Sequence, residues 1–378
     1  MATEMLRLKL FLSLSEARYS GSLQHSTWMP DVRNRGLNYP SRCIFGVHRS
    51  SPEHRRPQAS ASISIQGGGS RRDGQESPEA GRMIAQSVCA VIVTYHPTLK
   101  MLENVSKILA QVQGLIVVDN GSSPDKLAPV RVMSQTLGFE LIENGENVGI
   151  AEALNQGVRW ARNSGYPWVI LFDQDSRITE GFIRQMFADW KSHPERERVG
   201  SIHPKYLDPD TGTEPVVRRA SDGGPVFSAT SGALMPAWIF DKIGGFASEY
   251  FIDCVDFEYC LRIRAAGYLI ADSREAVLMH ASGGASESLS FLGFGFRPTH
   301  HSVVRRYYMS RNRIALYRKY FRVFPRWILQ SMNDSSRETI KCFVGEQDRA
   351  PKFRSFLLGI WDGLSGRMGK RDLGSESH

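Results

Sequence analysis

The stretch that most constrains this fold is an apolar run that ends directly in two carboxylates. Residues 168–172 read Trp-Val-Ile-Leu-Phe, and Asp173-Gln174-Asp175 follows at once. An unbroken apolar run of this length is typical of a strand buried on both faces of a parallel sheet. Such strands present functional groups at their carboxyl ends. Because two carboxylates this close repel each other unless a cation lies between them, the pattern predicts a metal–diphosphate site, or else a loop that is merely acidic.

The composition indicates an ordinary globular protein that is soluble or peripheral to a membrane. The chain has 378 residues, enough for one large or two small domains, and a formal charge of +8. No apolar stretch approaches the ~20 residues needed to span a bilayer. The five cysteines show neither a Cys-x-x-Cys pair nor regular spacing. That pattern argues against a disulfide framework or a zinc site and favours a reducing compartment.

The first 82 residues differ from the rest of the chain. They are rich in Arg, Ser, Gly, Pro and His and show no sustained hydrophobic period, so we expect a disordered leader. Met83 stands shortly before the first predicted strand and is an alternative start, in which case the leader is not part of the native protein. We predict that deleting residues 1–82 leaves folding and activity nearly unchanged.

Predicted strands and helices alternate through the first half of the remaining chain. The strands are predicted at 89–95, 115–118, 139–142 and 168–172, and the helices at 102–112 and 150–161. Asn147 is a candidate N-cap of the second helix. This order indicates right-handed, parallel βαβ units in a Rossmann-like layout. The absence of a Gly-x-Gly-x-x-Gly loop argues against a dinucleotide-binding enzyme.

The second half has a less regular pattern. We predict a short helix at 182–190, short strands and turns over 199–230, a helix opened by Phe251 to Glu258 and stopped by Gly267, and a short final strand at 277–280.

Several short motifs occur together in a recognisable order. They are Val93-Thr94-Tyr95, Val118 to Ser122, Asn147-Val148-Gly149, Asp173-Gln174-Asp175, Phe251-Ile252-Asp253 through Arg262, His280, Arg305 to Tyr308, and Arg311-Asn312. In these motifs the chain resembles glycosyltransferase family 2, and closely its rhamnosyltransferase branch, over about residues 88–365. The resemblance implies the GT-A fold, an α/β architecture with a Rossmann-like mixed sheet flanked by helices and with C-terminal basic amphipathic helices. It places the catalytic domain at 83–300 and a helical region on the membrane or acceptor side at 301–378.

The resemblance implies a nucleotide-sugar site at the ends of the first strands. Thr94 and Tyr95 would contact the nucleoside, and Asp119 would accept a hydrogen bond from a pyrimidine ring N–H. Asn147 and Gly149 would approach the nucleotide at a helix start. The alternatives are that Asp119 only forms the turn before Asn-Gly and that Asn147 is a plain helix cap.

The resemblance also implies a divalent metal. Asp175 would bind it, and Asp173 would contact the ribose or the metal's surroundings. Oxygen ligands suit Mg²⁺ or Mn²⁺. His280 matches a position that can supply an imidazole, which would favour Mn²⁺, although a histidine at a strand end can be purely structural.

Catalysis is assigned to the acidic segment near residue 256. The resemblance implies that Asp256 is the general base of an inverting transfer, because the acceptor hydroxyl must lose a proton on the face opposite the leaving group. Asp253 and Glu258 are its rivals, and either could instead orient acceptor hydroxyls. Ser231 and Gly232 would face the donor sugar or the acceptor. The alternative is a solvated acidic helix start favoured by the helix dipole.

The stretch from Arg305 to Arg326 has eight basic residues, no acidic ones, and many aromatics. Such a stretch can bind nucleic acid or an anionic membrane surface, and the resemblance favours the membrane and no nucleic acid. A second amphipathic pattern runs from Phe353 to Leu364. In both stretches the alternative is a solvated helix that packs its aromatics on the catalytic domain.

The expected function is therefore an inverting, metal-dependent transfer of L-rhamnose from dTDP-rhamnose. The acceptor would be a lipid-linked saccharide or polysaccharide of the cell surface, such as O-antigen, reached from the cytoplasmic face of the membrane. One alternative is a nucleotidyltransferase that makes sugar nucleotides, which would want a Gly-rich loop with a basic residue after the first strand, where this chain has Thr-Tyr-His-Pro. Another is a non-catalytic protein that binds membranes or polyanions and has no need of Asp175 or Asp256.

Overall fold

The structure, a computed structural model, describes residues 87–209, 212–214, 217–279, 289–291, 294–296, 301–345 and 349–373. The expected leader and His280 lie outside these residues, so the predictions made for them stay predictions. In the described part of the chain, none of the helices combines the length and the apolar character needed to cross a bilayer.

The architecture is built on a mixed sheet. Its strands and those of a small hairpin are β1 (Val88–Thr94), β2 (Gly114–Asp119), β3 (Glu140–Glu143), β4 (Trp168–Asp173), β5 (Arg177–Ile178), β6 (Val199–Leu207), β7 (Leu234–Pro236), β8 (Leu269–Met279), β9 (Leu289–Phe291) and β10 (Phe294–Phe296). The main sheet has the order β3-β2-β1-β4-β7-β6-β8-β5, and β9 pairs with β10. Strands β1 to β4 pair in parallel, whereas β7 runs antiparallel to both of its neighbours. The predicted α/β class with a mixed sheet is confirmed, and the arrangement is that of the GT-A fold.

Helices flank this sheet. They are α1 (Leu99–Leu109), α2 (Pro124–Leu137), α3 (Ile150–Asn163), α4 (Phe182–Ser192), α5 (Trp238–Ile243), α6 (Val255–Ala265), α7 (Val303–Tyr320), α8 (Pro325–Gly345) and α9 (Arg349–Ser365). Helix α2 was not anticipated, since it buries only Leu127, Val130 and Met133 and contains Pro129. Its ends nevertheless carry clear signals, with Pro124 in the first turn and Gly138 left-handed just beyond the last.

One hydrophobic core joins the sheet to the C-terminal helices. Every residue of β1 is buried. Helix α3 lies close to this strand because Gly157 has no side chain; a Cβ there would come within 2.3 Å of Val91. Leu316 and Tyr320 of α7 belong to the same core cluster as the sheet residues, so α7 packs on the catalytic domain.

Three predicted boundaries were wrong. Strand β8 begins at Leu269, not near residue 277, because Asp272, Arg274 and Glu275 interrupt its apolar pattern. Residues 199–207 form one strand rather than short pieces, although its pairing with β8 is irregular at two places. Helix α6 begins at Val255, and the four residues before it are not helical.

Candidate active site

The candidate site starts at one edge of the sheet, where the parallel strands β1, β2 and β4 end. We call these strand ends and the loops that follow them the donor edge. Thr94 pairs in register with Asp119, and Val93 pairs with Asp173. Because neighbouring parallel strands end at the same edge, the structure brings together three of the predicted site residues, Thr94, Asp119 and Asp173.

Asp119 organises the loop after β2. Its buried carboxylate accepts hydrogen bonds from Thr94 Oγ1 at 3.1 Å and Ser122 Oγ at 2.5 Å, and from the backbone N–H groups of Gly121 and Ser122 at 3.2 and 2.9 Å. A carboxylate has about four acceptor positions, so these bonds use its capacity. A pyrimidine N–H would therefore have to take the place of one of them.

Asn147 is bound to the same loop. Its Oδ1 accepts hydrogen bonds from Asn120 Nδ2 at 3.0 Å and from the Gly149 N–H at 2.9 Å. The prediction that Asn147 caps α3 was wrong, because the N-cap of that helix is Gly149 and no side chain caps it. The bond to Gly149 shapes the turn that leads into the helix.

Gly149 is required where α3 begins. Its φ is +88°, and a Cβ there would lie 2.6 Å from the Phe251 ring and 2.7 Å from the Phe251 carbonyl oxygen. That carbonyl also accepts the first helical N–H, from Ile150, at 2.8 Å. The glycine therefore allows the segment before α6 to approach the N-terminus of α3.

The loop after β4 is fixed from behind and leaves one carboxylate in solvent. The buried hydroxyls of Ser176 and Ser231 lie 2.6 Å apart, and Ser231 Oγ also accepts the Asp173 N–H at 3.3 Å. Gln174 accepts the Tyr95 N–H at 2.9 Å, while the Tyr95 ring is exposed. Asp173 is partly exposed and Asp175 is exposed.

Ser231 and Gly232 lie behind this loop rather than on its surface. Both are buried, and a Cβ on Gly232, whose φ is +80°, would lie 2.7 Å from Pro204. The Ser231 carbonyl accepts a hydrogen bond from the Tyr206 hydroxyl at 2.9 Å. As placed, neither residue offers a side-chain atom to a sugar, and their contacts support the β4 loop instead.

Asp256 lies in the first turn of α6 and faces other carboxylates. Its Oδ1 accepts the Phe257 N–H at 2.8 Å. Burial, and then the negative charges of Asp253 and Asp173, raise the pKa of Asp256 to about 6. Asp173 and Asp256 also act together on the buried Tyr206, whose pKa is raised mainly by burial. The negative charge of Asp173, at the donor edge, thus makes a small contribution to the raised pKa of Asp256.

The segment before α6, residues 251–254, has an unusual backbone; we call it the base loop. Phe251, Asp253 and Cys254 have φ values of 63°, 62° and 61°, and only one other described non-glycine residue, His96, has a positive φ. Such conformations cost about 1–3 kcal/mol each and persist where surrounding contacts enforce them. They cluster at functional sites, and here they directly precede Asp256.

Two buried residues of α7 hold the base loop in place, and we call them the clamp. Asn312 Nδ2 approaches three carbonyl oxygens, those of Tyr250, Ile252 and Asp253, at 2.9, 2.6 and 2.9 Å. Arg311 Nη2 donates to the Tyr250 carbonyl at 3.1 Å, and its guanidinium lies 4.7 Å from the centre of the Tyr308 ring. Both residues are completely buried. The sequence motif that contains this pair indicates no role for it at the site.

Asp253 lies between the clamp and solvent. Its Oδ1 accepts hydrogen bonds from Arg305 Nε and Nη2 at 3.3 and 3.2 Å. Its Oδ2 is buried and has no hydrogen-bond partner among the described residues. This oxygen is therefore a buried acceptor that no described residue satisfies, three positions before the candidate base Asp256, and it is not open to solvent.

Glu258 is buried in a cluster of charged and polar side chains. Its carboxylate accepts hydrogen bonds from Arg262 Nε at 3.1 Å, Lys319 Nζ at 2.8 Å and the Tyr320 hydroxyl at 2.9 Å. Burial raises its pKa, but the bonds and charges of Arg262 and Lys319 lower it overall. A carboxylate so placed joins α6 to α7 and has no surface to offer an acceptor.

Part of the basic and aromatic stretch of α7 is buried inside the protein. Arg306 and Arg311 are buried, as are Tyr307, Tyr308 and Tyr320. The alternative prediction, that the aromatic side chains of this helix pack on the catalytic domain, agrees with these positions. It also expected the basic residues to be in solvent, and Arg306 and Arg311 are buried instead. Arg311 is needed inside the protein to hold the base loop.

No group of three or more His, Cys, Asp or Glu side chains within the described ranges is arranged to hold a metal ion. Asp173 ends β4 and Asp175 lies in the loop that follows, and the prediction that they bind a metal stays a prediction. The described cysteines Cys89, Cys254 and Cys260 are free thiols.

Comparison with known proteins decides the family. The model of "Glycosyl transferase family 2" matches residues 89–220. A "dTDP-rhamnosyl transferase RfbF" from Shigella flexneri is 32% identical over 305 residues, which cover 75% of this chain and 97% of that protein. This chain belongs to glycosyltransferase family 2. It is a glycosyltransferase, and the nucleotidyltransferase and non-catalytic alternatives are not retained.

Solved glycosyltransferase structures are similar only at low identity. A mannosyltransferase from Pyrobaculum calidifontis, in complex with GDP-Man and Mn²⁺, is 16% identical with a TM-score of 0.48 over 74% of this chain and 87% of that chain. TarS of S. aureus, residues 1–349, is 11% identical with a TM-score of 0.45 over 74% and 72%.

Proposed function

We propose that this family 2 enzyme transfers L-rhamnose from dTDP-rhamnose to a saccharide acceptor, with inversion at the anomeric carbon. The observation that carries the chemistry is Asp256, a carboxylate in the first turn of α6 whose pKa is raised to about 6 by burial and by the charges of Asp253 and Asp173. The donor is inferred from the relative named dTDP-rhamnosyl transferase, which the chain matches over almost its full length.

The proposed reaction is a single displacement. Asp256 accepts the proton of the attacking acceptor hydroxyl while the bond between the rhamnose anomeric carbon and the diphosphate oxygen breaks. A base acts best when its pKa lies near the working pH, and a pKa of about 6 leaves Asp256 ionised at neutral pH yet a better base than an ordinary aspartate. Asp253, whose Oδ1 is paired with the more exposed Arg305, would help to orient another acceptor hydroxyl.

The donor edge would hold the nucleotide. Thr94 and the exposed Tyr95 lie where the nucleoside is expected, and the loop shaped by Asp119 and Asn147 offers backbone groups beside them. Gly149 contributes indirectly, by letting the base loop approach α3.

The carboxylates at the end of β4 are suitable ligands for a divalent metal. Asp173 and Asp175 offer carboxylate oxygens at the end of β4 and in the loop that follows it, and oxygen ligands of this kind suit a hard divalent cation. When bound, Mg²⁺ or Mn²⁺ would neutralise charge on the departing diphosphate. Asp175 and Asp173 would hold it, with His280 as the third expected ligand. We expect Asp175→Ala to abolish metal-dependent donor binding in calorimetry, whereas full activity in EDTA would exclude the metal.

The acceptor would be reached at a membrane surface. Nine large apolar side chains are exposed on α8, α9 and the turn between α7 and α8. They are Phe321, Val323, Leu329, Met332, Ile340, Phe353, Leu357, Trp361 and Leu364, and we call them the exposed apolar surface. Exposed Arg322, Arg326 and Arg354 lie on the same elements and would favour anionic lipid. This suits a lipid-linked acceptor at the cytoplasmic face.

Donor choice is tested by a screen of the full chain. Purified protein is incubated with dTDP-rhamnose, UDP-glucose, UDP-N-acetylglucosamine and GDP-mannose, with and without Mn²⁺, and release of nucleoside diphosphate is measured. We expect release from dTDP-rhamnose to exceed that from the others. Preference for another donor would contradict the rhamnosyl assignment without affecting the family.

Membrane association is tested by sedimentation with vesicles. We expect binding to vesicles that contain phosphatidylglycerol and weaker binding to pure phosphatidylcholine. Trp361→Ser with Leu364→Ser should weaken sedimentation and leave turnover of a soluble acceptor unchanged. Equal sedimentation of wild type and double variant would contradict the role of the exposed apolar surface.

A further inference from the structure

A cavity of about 250 Å³ lies beside the element that carries the candidate base. Three aromatic rings, those of Phe227, Phe257 and Trp327, form its apolar lining, and we call it the aromatic pocket. The Phe227 and Phe257 ring centres lie 4.4 Å apart, and Trp327 lies 6.3 and 6.1 Å from them. The rings are thus close enough to form one continuous surface.

The aromatic pocket also has polar walls that are neutral as a set. Arg313 Nη2 lies 2.9 Å from Glu338 Oε2, and Arg218 forms an ion pair with Asp334. All four side chains line the cavity. Since each positive charge is paired with a negative one, these walls suit neutral hydroxyl groups better than a phosphate or another anion.

One polar atom of the lining has nothing to bond to. The indole Nε1 of Trp327 is buried and has no hydrogen-bond partner among the described residues, and the residue is only 8% exposed. Buried polar groups are normally paired, so an exception at the wall of a cavity indicates a missing partner. Because Trp327 lines the pocket, a small rotation of its ring would turn the N–H toward an acceptor oxygen of a ligand there.

The position of the pocket connects it to the reaction. Cys254 and Phe257 both line it, and they stand two residues before and one residue after Asp256. One wall therefore belongs to the base loop and the first turn of α6. A molecule in the pocket lies next to the segment that presents the base, on the C-terminal side of the domain.

A second cavity continues the first. It has a volume of about 400 Å³ and shares Arg218 and Asp334 with the aromatic pocket. Its remaining lining is polar, from Arg219, Gln330 and Asn333. An aromatic compartment followed by a polar one suits a chain of sugars, since a pyranose ring has an apolar C–H face and a rim of hydroxyls.

We propose that the aromatic pocket binds a neutral pyranose of the acceptor, and that the second cavity binds the next sugar of the same chain. The ring would stack on Phe257 and Trp327, an oxygen would accept the Trp327 indole N–H, and hydroxyls would meet the two ion pairs. The assignment rests on the proposed glycosyl transfer, which it extends by naming the acceptor subsite and its chemistry.

The direct test uses nuclear magnetic resonance of the full chain. The indole N–H signal of Trp327 is identified by its loss in Trp327→Phe. Methyl α-L-rhamnopyranoside, methyl β-D-glucopyranoside, methyl N-acetyl-β-D-glucosaminide and chitobiose are then added at millimolar concentrations. We expect at least one to shift the Trp327 signal and leave that of Trp361, an exposed tryptophan of α9, in place. No shift with any probe would overturn the proposal.

Kinetics with an acceptor that is turned over provide the second test. Trp327→Phe keeps an aromatic ring but loses the N–H, and it should raise the acceptor KM about threefold to tenfold. Arg218→Ala, at the junction of the two cavities, should raise the KM of chitobiose-length acceptors more than that of single sugars. Trp190→Phe, on α4 and outside the lining of both cavities, serves as the matched control. An unchanged acceptor KM in both pocket variants would overturn the proposal.

Measuring donor hydrolysis without acceptor distinguishes a failure of this inference from a failure of the proposed function on which it rests. Slow hydrolysis of dTDP-rhamnose in the absence of acceptor should be the same in Trp327→Phe and in wild type. If wild type does not hydrolyse or bind dTDP-rhamnose, the donor assignment fails, while a sugar-induced shift of Trp327 would still identify a saccharide pocket. If donor hydrolysis is normal and no sugar affects Trp327, the pocket assignment alone fails.

Discussion

The donor edge and the base loop bring carboxylates to the same site in different ways. At the donor edge, Asp119 and Asp173 stand at the ends of parallel strands, and Asp119 bonds mostly to residues within three positions of itself. The base loop has three residues with positive φ and is held by Arg311 and Asn312, about sixty positions away. Local sequence therefore determines the first region, and the second depends on tertiary contacts.

The largest expected effect is on the chemical step at the base. Asp256→Asn keeps the size of the side chain but cannot accept a proton, so kcat should fall roughly 10²–10⁴-fold. The Kd for dTDP should stay near wild type, because the donor edge is intact. Steady-state kinetics and calorimetry test both parts.

The matched control for this prediction is Asp253→Asn. It should raise the acceptor KM more than it lowers kcat, since Asp253 is paired with Arg305 and is expected to orient the acceptor rather than to act as the base. If Asp253→Asn removes turnover and Asp256→Asn retains it, the two roles are exchanged.

The second effect is on stability and concerns the link between α6 and α7. Glu258→Gln leaves Arg262 without a carboxylate in a buried setting, which should cost about 3 kcal/mol in the free energy of unfolding. Chemical denaturation measures this loss. Arg131→Gln, which breaks an exposed ion pair with Glu143, is the control and should cost much less, because solvent screens the pair. Equal losses would mean that Glu258 is not buried as described.

The third effect tests the clamp as a positioning device. Asn312→Ala leaves the Tyr250, Ile252 and Asp253 carbonyls without their shared donor, so the base loop should lose its geometry. Misplacing a catalytic group by a small distance can cost up to about 10²-fold, and we expect kcat to fall roughly tenfold. The Kd for dTDP should be unchanged.

A merely structural role for Asn312 makes a different prediction. It would lower the melting temperature and reduce the active fraction, but it would not move the pH profile of kcat/KM. Because the raised pKa of Asp256 depends on its surroundings, displacement of the base loop should lower the pH at which activity is half maximal. An unmoved profile would contradict the positioning role.

The difference between the donor edge and the base loop explains which parts of the site could be predicted from the sequence. The strands β1, β2 and β4 and their terminal Thr94, Asp119 and Asp173 follow from apolar runs and turn residues, which act over a few positions. Asp256 itself came from resemblance to a family. The burial of Glu258 and the function of Arg311 and Asn312 depend on how α7 packs, and no local pattern reports it. From sequence alone, a charged residue inside a basic stretch is predicted to be exposed to solvent, because its partners lie far away in the chain.

The smallest expected effect is the change in folding stability that the ionisation of Asp256 causes. Burial and neighbouring carboxylates raise the pKa of Asp256 from 3.8 to about 6, so the folded protein holds this proton more tightly than the unfolded chain does. The resulting stability is complete below pH 3.8 and is lost as the pH rises through about 6. At neutral pH the ionised base therefore destabilises the fold, and because Asp256 is partly exposed to solvent we expect this cost to be only about 1 kcal/mol. Asp256→Asn removes that cost. It should raise the melting temperature at pH 7.5 while abolishing turnover, and the gain should vanish near pH 4.

Thr94, at the donor edge, carries no titrating group, and Thr94→Ser should show the same difference from wild type at both pH values. If Asp256→Asn stabilises the protein equally at both pH values, the pKa of Asp256 is not raised by folding, and the base loop does not provide the environment proposed for it.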